Sequence, residues 1–274
     1  MSKGAAIDLG LNEAYNDLFS TQEERDNAQR SYVTDLTAAE ISDFPNHPFK
    51  VRMDQSMVEL ADSVKQYGVL VPSLVRPMPN GSYQMVSGHR RKRAAELAGL
   101  PTVPCIIREL TDDVAIIVMV DSNLQREQIL PSEKAVAYKM KLEAMKRQAG
   151  RPSKNNSAPV GPNLLGTRSN EELASQSPDS KTQIQRYIRL TNLIPELLDM
   201  VDNSVLKEAG KLQMALRPAV ELSYLSEAEQ TALLEVMEGE IRTPSLALAI
   251  NMRSISVQGK LNPVVFLSIL QEEK

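Results

Sequence analysis

Tryptophan is absent from the 274 residues, and all aromatic residues together make up only 4%. Because 42% of the chain is still hydrophobic, its cores must be built from Leu, Ile, Val, Met and Ala, a composition that favours helices. The single cysteine, Cys105, excludes an intramolecular disulfide. With only His47 and His89 besides it, no Cys/His metal constellation is legible in the sequence. The chain does not open on a basic segment followed by an apolar run, and no stretch approaches the ~20 apolar residues that span a bilayer. A reduced, soluble, cytoplasmic protein without membrane contact is the expectation. An excess of positive charge is missing too: 31 Lys and Arg against 35 Asp and Glu leave −4, which excludes a uniformly basic coat for nucleic acid.

The charge is unevenly placed. Residues 1–50 hold four basic and nine acidic residues, residues 51–189 hold twenty and fourteen, and residues 190–274 hold seven and twelve. A +6 middle therefore lies between two −5 ends. Within that middle Arg90, Arg91, Lys92 and Arg93 are consecutive, Lys134 to Lys154 carries seven basic residues against Glu143, and Lys181, Arg186 and Arg189 share one short segment. A single such run is ordinarily a solvated helix face, but three in one block point to polyanion binding.

Along the chain, residues 1–42 are polar and acidic and read as a flexible arm. Asp54 is placed to cap a helix carrying Met57, Leu60, Ala61 and Val64 on one face, with Gly68 ending it. Val69 to Arg76 reads as a strand that Pro72 interrupts, which suits an edge or an active-site crossing better than a central ladder. Asn80-Gly81 is a hairpin turn signal, with Tyr83 to Val86 as the returning strand. Gly88 then opens a helix to about Ala98, closed by Gly99, and Val103 to Arg108 reads as another strand. Thr111 or Asp112 caps the next helix. Ser132 to Gln148 is a longer amphipathic helix with Ala135, Tyr138, Leu142 and Met145 along one stripe. Residues 150–163, rich in Gly, Pro, Ser and Asn, read as a linker, and everything beyond is helical and Leu-rich.

Two constellations carry chemistry. In Val86 to Ala95 a glycine between strand and helix lets backbone approach a ligand, the free N–H groups of the first turn favour anions, and Arg90, Arg91 and Arg93 add bidentate contacts to phosphate. These residues read either as a phosphate cradle, though not a Walker loop, or as a basic helix on a surface. In the second, a short helix around Glu171 to Ala174, a turn at Ser177-Pro178-Asp179 and a helix from Ser180 to Leu193 read as a helix-turn-helix, with an ordinary helical hairpin as the alternative. Ile184, Ile188, Leu190 and Leu193 face inward; Ser180, Lys181, Thr182, Gln183, Gln185, Arg186 and Arg189 are left for base edges and phosphates. A third stretch, Asn123-Leu124-Gln125-Arg126-Glu127, either brings an amide and a guanidinium to the anion site or is an exposed helix end, and spacing does not decide between them.

These segments, in this order, resemble the ParB family of partition proteins over roughly residues 40–250. Gly68 to Arg76, Gly88-His89-Arg90-Arg91-Lys92-Arg93-Ala94 and Asn123 to Glu127 correspond to the family's nucleotide-binding motifs. The implied fold is an α+β ParB/sulfiredoxin-like N-terminal domain followed by an all-α helix-turn-helix domain, predominantly helical overall. The expected division is an acidic arm (1–42), a nucleotide-binding domain (43–130), a connecting helix (131–149), a linker (150–163) and a helical DNA-binding domain (164–274) with the helix-turn-helix at about 169–193. The resemblance implies a homodimeric clamp that binds CTP with Mg2+, reads a palindromic centromere-like site in double-stranded DNA and stimulates a ParA-type Walker ATPase. Such a protein is nucleoid- or plasmid-associated. Nucleotide-binding positions are then Gly68, Pro72, Gly88, His89, Arg90, Arg91, Arg93, Asn123 and Arg126, with Asn123 a candidate metal ligand.

The family motifs usually have Glu where this chain has His89 and Ser122. Two carboxylates are lost from the metal and hydrolysis region, so slow CTP hydrolysis is weakly supported and Asp121 is the available substitute for Mg2+. Leu222 to Leu234 and Pro244 to Leu270 read as further helices where chromosomal members carry a separate dimerisation domain. Dimerisation is expected either to use this region or to lack the usual hinge. An alternative is a transcriptional or replication regulator of a mobile element without CTP-driven spreading. Enzymatic readings are disfavoured: Gly88-His89 has no neighbouring cysteine, and the cradle offers no paired carboxylates for two metals.

Overall fold

The computed structural model describes residues 32–126, 128–150 and 164–271. Most of the expected arm (1–31) and of the linker (151–163) thus lies outside the described residues. Residues 33–42 do not belong to an arm: Val33–Thr37 forms β1, a 3-10 turn follows at Ala38–Glu40, and Ile41–Ser42 forms β2. Both strands are tied into a sheet completed by β3 (Ser73–Pro77), β4 (Tyr83–Ser87) and β5 (Thr102–Ile107). The polar composition of the segment hid it, because only Leu36 and Ile41 are buried.

The sheet order is β1-β5-β3-β4-β2, with β1/β5 and β3/β4 antiparallel and β3/β5 and β4/β2 parallel. β3 is therefore the central strand, which excludes the edge, one of the two placements expected from Pro72. Pro72 stands just before the first strand residue, Ser73, so its missing N–H takes nothing from the β3 ladder. Asn80 and Gly81 make the predicted β3–β4 turn, with Gly81 at φ 81°.

Alternation divides the sheet into two faces. Val75, Met85, Val103 and Cys105 pack beneath α1 (Gln55–Tyr67) and α2 (His89–Ala98), meeting Met57, Val64, Ala94 and Ala95. Val86 and the partly buried Leu74 turn to the other face, against α3 (Asp112–Leu124) and the long α4 (Pro131–Gly150). Caps form as predicted: Asp54 accepts from the Met57 amide, and Thr111 from that of Val114.

The stripe Ala135, Tyr138, Leu142 and Met145 of α4 is buried throughout. Tyr138, Leu142 and Met145 share one core with Leu173 of α5 (Leu164–Ser175) and Ile184 of α6 (Lys181–Leu190), so α4 is packed on both the α/β module and the helix-turn-helix. Beyond these, α7 (Pro195–Leu206), α8 (Leu216–Leu222), α9 (Glu227–Glu240), α10 (Leu246–Val257) and α11 (Pro263–Gln271) enclose a second Leu- and Met-rich core, to which Ala135 of α4 and Leu190 of α6 contribute. Among the described residues no helix is long and apolar enough to cross a membrane.

Candidate functional site

Gly88 has φ 117° and ψ 15° at the N-cap of α2, a conformation that side chains resist. A Cβ there would also run into the buried Ser73 side chain. The glycine thus lets β4 turn into α2 directly against β3, and it brings no side chain to cap the first-turn N–H groups. From that turn Arg90 reaches the Ser56 hydroxyl at the start of α1, donating at 2.5 Å. Arg91 donates to the carbonyls of Val71 (2.7 Å) and Pro72 (2.5 Å) and so braces the loop before β3.

A cavity of about 840 Å3 opens beside this turn. Four cations line it: Lys50, Arg52, Arg90 and Arg126. The carboxylates on its wall are engaged, Asp54 in capping α1 and Glu133 in accepting from the backbone amides of Lys50 (3.0 Å) and Leu130 (3.1 Å). Burial lowers the pKa of Arg126, and the nearby charges of Arg90 and Arg91 depress it further while Glu133 opposes them. A guanidinium is not deprotonated at working pH, so a bound anion would relieve this crowding. Val205 and Leu206 of α7 close the far side, placing the cavity between the α/β module and the helical array. A neighbouring cavity of about 710 Å3 shares Lys50 and Arg52 but is lined by Glu196, Asp199, Asp202, Glu208 and Glu238, the wrong charge for phosphate.

Of the nine positions expected at a nucleotide, Arg90 and Arg126 meet in the cavity, while Gly88, Pro72 and Arg91 shape its approach through the backbone and the loop. Gly68 ends α1 at φ 73° and does not line the cavity. Arg93 is turned to Glu96 (3.0 Å). His89 is 6% exposed, with its ring turned inward onto His47 rather than toward the cavity. Asn123 is 2% exposed and donates through its amide nitrogen to the Met119 carbonyl at 2.7 Å. Lys50 and Arg52 were missed. They precede the first periodic segment, and only their spacing of two in an extended stretch hinted at a shared side.

Among the described residues no cluster of carboxylates stands ready-made for Mg2+, which takes oxygen ligands. Ser122 donates to the Met119 carbonyl. Asp121, the substitute expected from sequence, is held by the buried ammonium of Lys141 at 2.5 Å. Among the described residues, no group of three or more His, Cys, Asp or Glu side chains is arranged to hold a metal.

In the helix-turn-helix, Ser180 caps α6 by accepting from the Gln183 amide. Lys181, Thr182 and Gln185 are exposed, Gln183 and Arg186 half-exposed, and Ile184 and Leu190 buried as their spacing predicts. Arg189 departs from the expectation. Its guanidinium donates to Ser223 Oγ (3.1 Å) and the Ser223 carbonyl (2.8 Å) and lies 3.9 Å over the Tyr224 ring, so it anchors α8 instead of projecting outward. The turn is fixed by Asp179, whose Oδ2 accepts from Tyr138 Oη (2.7 Å) and from Lys134 Nζ (2.9 Å), both on α4.

A mixed α/β module with a cationic cavity, joined by one long helix to a helix-turn-helix array, defines the class. Residues 22–124 match the ParB N-terminal domain family. The chromosome-partitioning protein Spo0J of Thermus thermophilus is 32% identical over 79% of this chain and 72% of its own length. The chain belongs to the ParB family of chromosome-partitioning proteins. The structure of a pNOB8-like ParB N-domain shares the fold, with a TM-score of 0.53 at 14% identity over 89% of this chain and 96% of that one. The C-terminally truncated ParB of Caulobacter crescentus, solved with the centromeric parS site, is 24% identical over 82% of this chain and 99% of that one, with a TM-score of 0.44. The same protein solved with CTP-γ-S is 26% identical over 74% and 97%, with a TM-score of 0.33.

Proposed function

We propose that this protein is a sequence-specific DNA-binding partition protein whose α5–α6 helix-turn-helix reads a palindromic centromere-like site, and whose α/β module binds CTP as the switch of a homodimeric clamp. The observation that carries the reading is the convergence of Lys50, Arg52, Arg90 and Arg126 on one cavity of about 840 Å3, within the size range of small-molecule sites. Four cations suit a triphosphate. Because Val205 and Leu206 of α7 form the opposite wall, an occupant touches both the α/β module and the helical array. That arrangement supports coupling between nucleotide and DNA. Arg90 and Arg126 are assigned to the phosphates, Arg91 to holding the Val71-Pro72 loop, and the exposed face of α6 to the major groove.

The test is calorimetric titration of CTP into the full chain with and without duplex DNA carrying a centromere-like palindrome. Arg126→Ala is expected to weaken CTP binding at least tenfold, since a charge-assisted contact in a partly buried site contributes about 1.5–3 kcal/mol. DNA binding at low salt should survive the change. Unaltered CTP affinity in Arg126→Ala and Arg90→Ala alike would falsify the phosphate assignment.

A further inference from the structure

His47 and His89 are 42 positions apart in the chain, and they are its only histidines. The fold sets their rings against each other, with centroids 3.8 Å apart and planes inclined by 38°. Neither ring lines the cationic cavity, but each stands next to residues that do. His89 is the first residue of α2, directly before Arg90, and His47 lies three residues before Lys50 in the stretch that leads on to Arg52. Phe49 meets the His47 ring in a T-shaped contact and carries the Arg126 guanidinium over its own ring. The same stretch is tied to α2 where Lys92 donates to the Ile41 carbonyl (2.7 Å) and to Asp43 (3.1 Å), and to α4 where the Lys50 amide donates to Glu133. The histidine contact falls between those two ties.

Such a stack tolerates only neutral rings. Each Nε2 is buried and has no hydrogen-bond partner. His47 Nδ1 lies 2.7 Å from the Phe49 carbonyl, which only accepts, so Nδ1 donates and Nε2 is a bare lone pair. A proton added there would make a buried N–H with no acceptor. Protonation of both rings would add the repulsion of two charges at stacking distance.

The charged groups that face the pair are Asp43 on the incoming stretch, Lys92 on α2, Arg126 just past α3 and Glu133 on α4. The two carboxylates favour a charged ring, but both are engaged, Asp43 by Lys92 and Glu133 by the amides of Lys50 and Leu130. Lys92 and Arg126 oppose it. Burial outweighs all four: it lowers His47, and it pushes His89 down to about 3 with the neighbouring His47 adding to the effect.

We propose that His47 and His89 are a positioning pair for the cationic cavity: stacked and neutral, they hold the stretch bearing Lys50 and Arg52 against α2, and in acid the stack opens and the cavity loses its shape. The consequence for a nucleotide rests on the reading above, whereas the pair itself does not. A ring released from the stack takes up a proton near its ordinary value of about 6.5, and a stacked ring does so only below it. The stack is therefore at full strength above about pH 6.5. Below that it weakens by up to about tenfold per histidine for each pH unit, until the stacked rings themselves titrate.

The experiment titrates CTP with excess Mg2+ into the full chain by calorimetry, at about pH 7.5 and about pH 5.5 and at fixed ionic strength. The quantity read is the ratio of the two affinities, in the wild type and in the double variant His47→Gln, His89→Gln. The terminal phosphate of CTP titrates in the same range, but it contributes equally to both chains, so the difference between the ratios belongs to the histidines. The wild-type ratio is expected to be at least about tenfold the larger. Circular dichroism at both pH values confirms folding, and the single variants, each expected to keep part of the effect, stand in if the double variant does not fold. Equal ratios in wild type and variant overturn the pair. If the wild type binds no CTP at either pH, the nucleotide reading fails separately. The urea midpoint then decides on the pair, as it does if the variant binds too weakly to titrate: a fall from the higher to the lower pH that the variant lacks supports it, and equal falls overturn it.

Discussion

Gly88 shows how much one residue decides here. Two independent constraints exclude a side chain: the positive φ, and the Ser73 side chain in the space a Cβ would take. Gly88→Ala is therefore expected to cost about 1–3 kcal/mol from backbone strain, with a further loss from the collision with Ser73. The urea midpoint should fall at constant slope, and CTP binding should weaken beyond that loss because α2 carries Arg90. The glycine's role was legible in sequence, since strand, glycine and basic helix follow one another locally. The fate of each arginine was not. Arg90 lines the cavity and Arg91 holds a loop, while Arg93 pairs on its own helix. Neighbours along a helix point about 100° apart, and what each direction meets depends on distant chain.

Among the elements, α4 is the one on which the rest are mounted. Its first turn is held from two sides: Glu133 accepts from the Lys50 amide, and Asp202 of α7 accepts from the Ser132 amide and hydroxyl. One turn on, Lys134 and Tyr138 hold Asp179, and further along the helix Lys141 and Arg147 pair with Asp121 and Asp113 of α3. Burial together with Asp179 raises the Tyr138 phenol far above its ordinary value, so the hydroxyl stays protonated and donates. Asp179→Ala strands that hydroxyl and is expected to cost about 1–3 kcal/mol, whereas Tyr138→Phe, which leaves Lys134 paired with Asp179, should cost less. Chemical denaturation of both variants checks the order, and equal losses would contradict it. The amphipathic stripe of α4 was readable from its period. Its polar partners were not, because Asp179 lies 41 residues from Tyr138 and beyond the residues 151–163.

For the whole molecule, the −4 net charge conceals a division of labour. The basic middle contributes Arg52, Arg90 and Arg126 of the cationic cavity and the exposed face of α6, and the acidic C-terminal segment contributes the wall of Glu196, Asp199 and Glu208 in the adjoining cavity. DNA affinity should fall steeply with salt, and Arg186→Ala and Lys181→Ala should each lower the slope of log K against log salt by about one. Arg189→Ala should act differently. It removes two bonds to Ser223 and the stacking on Tyr224, so its first effect is on thermal stability. Identical isotherms for wild type, Lys181→Ala and Arg186→Ala would remove α6 from the DNA interface.

The elements themselves were determined by the amino-acid sequence alone: the cap at Asp54, the turn at Asn80-Gly81, the glycines at 68, 88 and 99, the stripe of α4 and the helix-turn-helix spacing. Each follows from hydrogen bonds and backbone sterics spanning a few residues, which one sequence displays in full. Tertiary structure alone decided that β3 is central, that residues 33–42 join the sheet, that Lys50 and Arg52 meet Arg126, that Arg189 turns inward and that two histidines 42 positions apart stack. Those outcomes depend on which faces bury one another. Burial is a non-local, non-directional force, and it selects partners by shape and area without leaving a mark in the local pattern.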